Sequence, residues 1–316
     1  MDVKRGLWRF AGRLADASVQ WAAPASVTWL TSSATLGTPD AAPPGPWLSD
    51  TVARPVGSRR GNEVVWARAW LPPHVPPSSP LRTKPQVKLR VWSPANPQRQ
   101  LLVVTGFNMT WAGLEAKLLG LSFWLERGYR VALLGLPLHG TQGVVPGTAA
   151  WPSADLALTR DAVAAATQDV REAVAFLRAE APLPVAALGI SLGAWPVALA
   201  ATSSVPSDVM VALSPMVDYT GLLRDHAPLW VPESALDRVA EALSAVSPLQ
   251  RPPTIASGRT LVLVGNQDEL ARRARHAEPL ARHFAGRIEQ FDGSHMLPWG
   301  LSGARRAVDE FVRGGE

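Results

Sequence analysis

The chain has 316 residues, no Cys and a net charge of +5, from 31 Lys plus Arg against 26 Asp plus Glu. The absence of Cys excludes disulfide frameworks, Cys-ligated zinc, iron–sulfur clusters and a Cys nucleophile. An apolar share of 47% with 18% charged residues describes a globular chain, long enough for one large α/β domain with an elaboration or for two ordinary domains. The basic residues are spread out, with no block of like charge and no zinc-finger or RNA-binding signature, so nucleic acid is not an expected partner.

Val3, Leu7, Phe10, Leu14, Ala17 and Trp21 recur at helical spacing, which predicts an amphipathic helix. Arg9, Arg13 and Asp16 interrupt the apolar run a secretory signal needs. No uninterrupted apolar run of about 18 residues exists to span a bilayer. A cytoplasmic location is therefore expected. Residues 1–22 are read as a helix packed on the body, with contact to a membrane surface as the alternative. Residues 33–62 are rich in Pro, Gly, Ser and Ala and read as a connection without regular structure. The division expected is an N-terminal extension over 1–62 and a folded domain over 63–316.

Glu63–Leu71 and Gln86–Trp92 read as strands joined by a Pro-rich turn, an antiparallel edge. Strand and helix then alternate. Strands are predicted over Leu101–Thr105, Arg130–Leu136, Val185–Ile190, Val209–Leu213, Leu261–Val264 and Arg287–Phe291. Helices are predicted over Ala112–Arg127, Ala154–Ala181 (one long helix or a pair), Leu192–Thr202, Glu269–Phe284 and Gly300–Val312. This order predicts an α/β fold with a mostly parallel central sheet and helices on both faces. Residues 218–257 break the alternation. They hold a helical stretch over Ser234–Val246 and read as a helical lid insertion.

Gly189-Ile190-Ser191-Leu192-Gly193 is a G-x-S-x-G sequence between an apolar strand and a helical run. That setting lifts a Ser hydroxyl above the sheet on a strained turn, while the glycines admit close backbone. Gly265-Asn266-Gln267-Asp268 follows a later strand, and Gly293-Ser294-His295 follows the last one. The C-terminal ends of parallel strands share one sheet edge. His295 would take the proton of Ser191, and Asp268 would orient the imidazole. Asp218, four residues after Ser214 at the end of the preceding strand, is the rival acid.

In the order Ser, Asp, His, and after the right strands, these motifs resemble those of the α/β-hydrolase superfamily of serine hydrolases. The likeness runs from about Gln86 to the C-terminus. The helix before the elbow (DVREAVAFL from Asp169) resembles that of esterases and of peptidases related to prolyl oligopeptidase. The resemblance implies an oxyanion hole from the backbone N–H groups of Leu192 and Phe107. It favours Asp268 over Asp218, and it places the loop carrying His139 beside the pocket. Thr105 stands where relatives often carry a His in the oxyanion loop. Asn108 is a candidate additional donor there.

The expected activity is hydrolysis of a carboxylic ester or thioester through an acyl-enzyme, with no cofactor and no metal. The substrate expected is a small, partly apolar ester or thioester. Acyl transfer or peptide cleavage on the same triad is the alternative, and a catalytically silent binding fold is the other. Trp111, Trp195, Trp230 and Trp299 lie close in sequence to the proposed site elements. With His139 they are candidate substrate contacts, and the four indoles predict an aromatic-walled pocket.

Overall fold

The computed structural model describes residues 58–60, 62–67, 71, 75, 79–83, 86–107, 109, 119–140, 148–153, 155–226, 231–295 and 301–314. The expected N-terminal helix and most of the Pro-rich connection lie outside these residues.

Nine strands form one sheet in the order β1-β2-β3-β5-β4-β8-β9-β10-β11. The edge is antiparallel: β1 (Ser58–Arg60), β2 (Glu63–Ala67) and β3 (Gln86–Trp92) pair in turn, and β3 pairs antiparallel with β5 (Tyr129–Leu134). From β5 onward every pairing is parallel, through β4 (Arg99–Val104), β8 (Val185–Ile190), β9 (Val209–Leu213), β10 (Thr260–Gly265) and β11 (Arg287–Phe291). A separate two-stranded ribbon joins β6 (His139–Gly140) and β7 (Thr148–Ala149). Strand β1 falls in the stretch expected to lack regular structure, so the sheet begins before Glu63.

The central strands are mostly apolar because both faces are covered. In β4, Leu102 and Val104 enter one core while Leu101 and Val103 enter the other. This is the alternation that the pleat of a strand imposes. The helices lie in two layers. One face carries α3 (Leu156–Glu180), α4 (Ala194–Ala200), α5 (Tyr219–His226), α6 (Glu233–Leu243) and α7 (Ala277–His283). The other carries α2 (Leu121–Glu126) and α8 (Leu301–Arg313), through Trp124, Ala304, Val308 and Val312. A short α1 (Pro80–Thr83) precedes β3.

Helix α3 is one continuous helix of 25 residues. The Asp155 carboxylate caps it by accepting from the Leu158 N–H at 2.8 Å, which satisfies one of the amides a helix start leaves open. Residues 218–257 hold α5, α6 and two 3-10 turns. Leu223, Ala235, Leu236, Val239 and Val246 from this insertion are buried in the same core as α3 and α4.

Candidate active site

The turn after β8 is built by close backbone approach. Ser191 has a φ of +51°, a left-handed conformation that costs a non-Gly residue of order 1–3 kcal/mol. A Cβ on Gly189 would sit 2.5 Å from the Ala194 Cα, and one on Gly193 would sit 2.4 Å from the Thr105 carbonyl oxygen. Both contacts are to backbone, so no side chain fits at either position. The chain then winds through a 3-10 turn (Ser191–Gly193) straight into α4. The Ser191 carbonyl accepts from the Met216 N–H at 3.0 Å, which ties the elbow to the loop after β9.

The loops after β10 and β11 are joined to each other. Asn266 N–H donates to the Phe291 carbonyl at 2.9 Å, and Gln267 N–H donates to the Gly293 carbonyl at 3.0 Å. Asn266 Nδ2 also donates to Asp292 Oδ1 at 2.9 Å, while Asn266 Oδ1 accepts from the Gly293 N–H at 3.3 Å. These bonds fix Asp268 relative to His295. His295 Nδ1 lies 2.9 Å from Asp268 Oδ2, and His295 Nε2 lies 2.7 Å from Ser191 Oγ. The second carboxylate oxygen of Asp268 accepts from the Ala271 N–H at 2.7 Å. With a carboxylate at Nδ1, that nitrogen carries the proton, and Nε2 presents its lone pair to the Ser191 hydroxyl. Asp218 stands elsewhere: its Oδ1 accepts from the Gly221 N–H at 2.8 Å in the first turn of α5.

No known family model matches the chain, and no curated protein matches it in sequence. Solved structures do match. The acetyl xylan esterase from Paenibacillus sp. R4 superposes with a TM-score of 0.54 at 17% identity, covering 81% of this chain and 85% of that one. TT1662 from Thermus thermophilus gives 0.53 at 18% identity, covering 72% of this chain and 94% of its own. Est1E from Butyrivibrio proteoclasticus gives 0.51 at 15%, with 72% and 94% covered. The chain has the α/β-hydrolase fold.

The loop after β4 comes close to the elbow at Gly106. A Cβ on Gly106 would lie 3.3 Å from Ser191 Cβ. Phe107 follows it and is 54% exposed. Leu192 lies in the first turn after the elbow, where helix amides have no partner within the helix. His139 is buried, and its Nε2–H donates to the Trp151 carbonyl at 2.7 Å. It touches the Phe107 ring rather than open solvent. Trp195, expected at the pocket, is a core side chain instead. It is 2% exposed, stacks on Tyr219, and donates from its indole N–H to the Val246 carbonyl at 2.7 Å. The α4 helix turns that position away from the sheet edge and toward the insertion. Asn108, Trp111, Trp230 and Trp299 lie outside the described residues.

The insertion is anchored beside the loop that carries Asp268. Arg275 pairs with Asp225 of α5 at 3.0 Å, and His226 Nε2–H donates to the Leu270 carbonyl at 3.3 Å. Arg224 binds Glu233 and Asp237 on α6. Among the described residues, no group of three or more His, Asp or Glu is placed to hold a metal ion. No described helix is long and apolar enough to cross a membrane.

Sequence reasoning missed the pairing of Asn266 with the His295 loop, the Trp151 carbonyl that holds His139, and the burial of His276. His276 opens α7 and is fully buried, and neither ring nitrogen has a hydrogen-bond partner among the described residues. Burial holds both His139 and His276 well below the ordinary imidazole value of 6.5, at about 4. Each is neutral when folded but takes up a proton when unfolded below about pH 6.5. Their contribution to stability is therefore complete above about pH 6.5 and is lost as the pH falls toward about 4. Each should add a slope of up to about 1.4 kcal/mol per pH unit within that window. Urea denaturation at pH 7 and pH 5 should detect the loss, and His276→Leu should remove roughly half of this His-dependent slope.

Proposed function

We propose that this chain is a serine hydrolase that cleaves a carboxylic ester, or a thioester, through an acyl-enzyme. The row Ser191 Oγ, His295 Nε2, His295 Nδ1, Asp268 Oδ2, with separations of 2.7 Å and 2.9 Å, carries the reading. The Ser191 oxygen attacks the acyl carbon while its proton passes to His295 Nε2. The oxyanion is received by the N–H groups of Leu192, at the helix start behind the nucleophile, and of Phe107, from the loop after β4. His295 returns the proton to the departing alcohol or thiol, leaving an ester on Ser191. Water then gives a proton to His295 and attacks that ester. The acid leaves, and Ser191 recovers its proton. The negative charge of Asp268 stabilises the imidazolium at both stages.

Two further observations support the ester class. The solved structures of similar fold include an acetyl xylan esterase and a lipase. The insertion is tied to the Asp268 loop through Arg275 and His226, and on this reading it is the lid over the acyl or alcohol group. The hydrolase domain on this reading includes β1, and so begins no later than Ser58. Treatment with a fluorophosphonate followed by peptide mass spectrometry tests the proposal. A single adduct on Ser191 is expected, and an adduct on any other residue, or none, refutes it.

A further inference from the structure

We propose that the Phe107 side chain is a binding face for a flat aromatic ring carried by the substrate next to its scissile carbonyl. The inference rests on the hydrolase reading above and names the substrate class of that site. Phe107 is the large apolar side chain left exposed among the described residues, at 54%. Isolated exposed apolar residues are ordinary on protein surfaces, but two features separate this one from that background.

The first is position. The preceding residue, Gly106, is so close to the elbow that a Cβ there would touch both Ser191 Cβ, at 3.3 Å, and the Ile190 carbonyl, at 3.2 Å. Phe107 is the next residue, so its backbone lies one peptide away from this contact with the nucleophile. The second is support. The Phe107 ring meets His139 at 5.5 Å between centroids with an interplanar angle of 89°. His139 in turn meets Trp151 at 4.9 Å and 65°. Trp151 is fully buried and locked by its indole N–H on the Pro137 carbonyl at 2.7 Å. The three rings form a column from core to surface, with Phe107 at its outer end.

The column has a cost. Leu138 takes a φ of +60° to present His139, and the His139 imidazole is buried. A loop that needed only a backbone N–H from residue 107 would require neither the column nor a large side chain at its end. An edge-to-face stack leaves one side of the terminal ring open, and a second ring packed there gains attraction beyond its buried area. Because burial keeps His139 neutral down to about pH 4, the column carries no charge that would favour an acidic or strongly hydrated group.

The experiment compares kcat/KM on two matched pairs of esters, methyl phenylacetate against methyl butyrate and benzyl acetate against butyl acetate. The first pair places the ring on the acyl side and the second on the alcohol side. Wild type should favour the ring-bearing member of one pair by about tenfold or more. Phe107→Ala should erase that preference, and Phe107→Tyr should keep it. Fluorophosphonate labelling of each variant reports whether the Ser191 machinery is intact. A labelled Phe107→Ala protein with an unchanged ratio in both pairs overturns the proposal alone. A wild type that is never labelled overturns the hydrolase reading, and this proposal with it.

Discussion

Ser191→Ala should lower kcat on an ester by about 10⁶-fold while leaving KM within a factor of a few. The variant keeps everything that binds and polarises the carbonyl and loses only the atom that attacks it. Its fold should survive. Alanine is no worse than serine at a φ of +51°, because both carry a single unbranched Cβ. The glycines that admit the turn, Gly189 and Gly193, are untouched. The change deletes one hydrogen bond, from Ser191 Oγ to His295 Nε2, which is worth about 1 kcal/mol of stability. A thermal midpoint close to wild type with ester turnover gone is therefore the expected pair of results. His295→Ala should cost a similar factor, and the double variant should be little worse than either single one, because the residues act as a unit. Residual turnover above about one per cent of wild type would mean that another group attacks, since a lost nucleophile costs far more than that.

Most strands were legible in the sequence, Val185–Ile190 and Val209–Leu213 as short apolar runs and Gln86–Trp92 by its alternation, whereas β1 was not. Gln86–Trp92, Val185–Ile190, Val209–Leu213 and Arg287–Phe291 are observed at their expected bounds. The helix expected over Glu269–Phe284 is only Ala277–His283. Local side-chain bonding displaced the rest. The Asp268 carboxylate captures the Ala271 N–H and Arg275 pairs with Asp225 of α5, and helix-type bonds begin only with the His276 and Ala277 N–H groups on the Arg272 and Arg273 carbonyls. Ser191, Asp268 and His295 could be nominated because motif and strand end coincide for each. Trp195 was misread because four residues past the nucleophile is near in sequence, while α4 carries it into the core against Tyr219 and Val246. The column from Trp151 to Phe107 has no local signature. Its rings come from three separate stretches, and only the tertiary fold brings them together. His276 likewise sits in an Arg-rich stretch that reads as surface, yet it is fully buried.

Asp268→Asn should lower kcat by about 10⁴-fold, whereas Asp218→Asn should change it by no more than a few-fold. Charge removal is only part of the reason. The Ala271 N–H donates to Asp268 Oδ1 at 2.7 Å, so the asparagine must keep its carbonyl oxygen there. Its amide NH₂ then faces His295 Nδ1, where Asp268 Oδ2 now stands. A donor at Nδ1 selects the tautomer with the proton on Nε2, the nitrogen that must accept from Ser191. The general base is thus present but protonated at the wrong end. Asp218 makes a different demand on its side chain. Its Oδ1 accepts from the Gly221 N–H at the start of α5, and an asparagine carbonyl serves equally well. Steady-state kcat for the two variants on one ester, with thermal midpoints to confirm folding, separates the assignments. The larger loss falling on Asp218→Asn would reverse the identity of the acid, because a cap substitution that preserves the acceptor has no route to the imidazole.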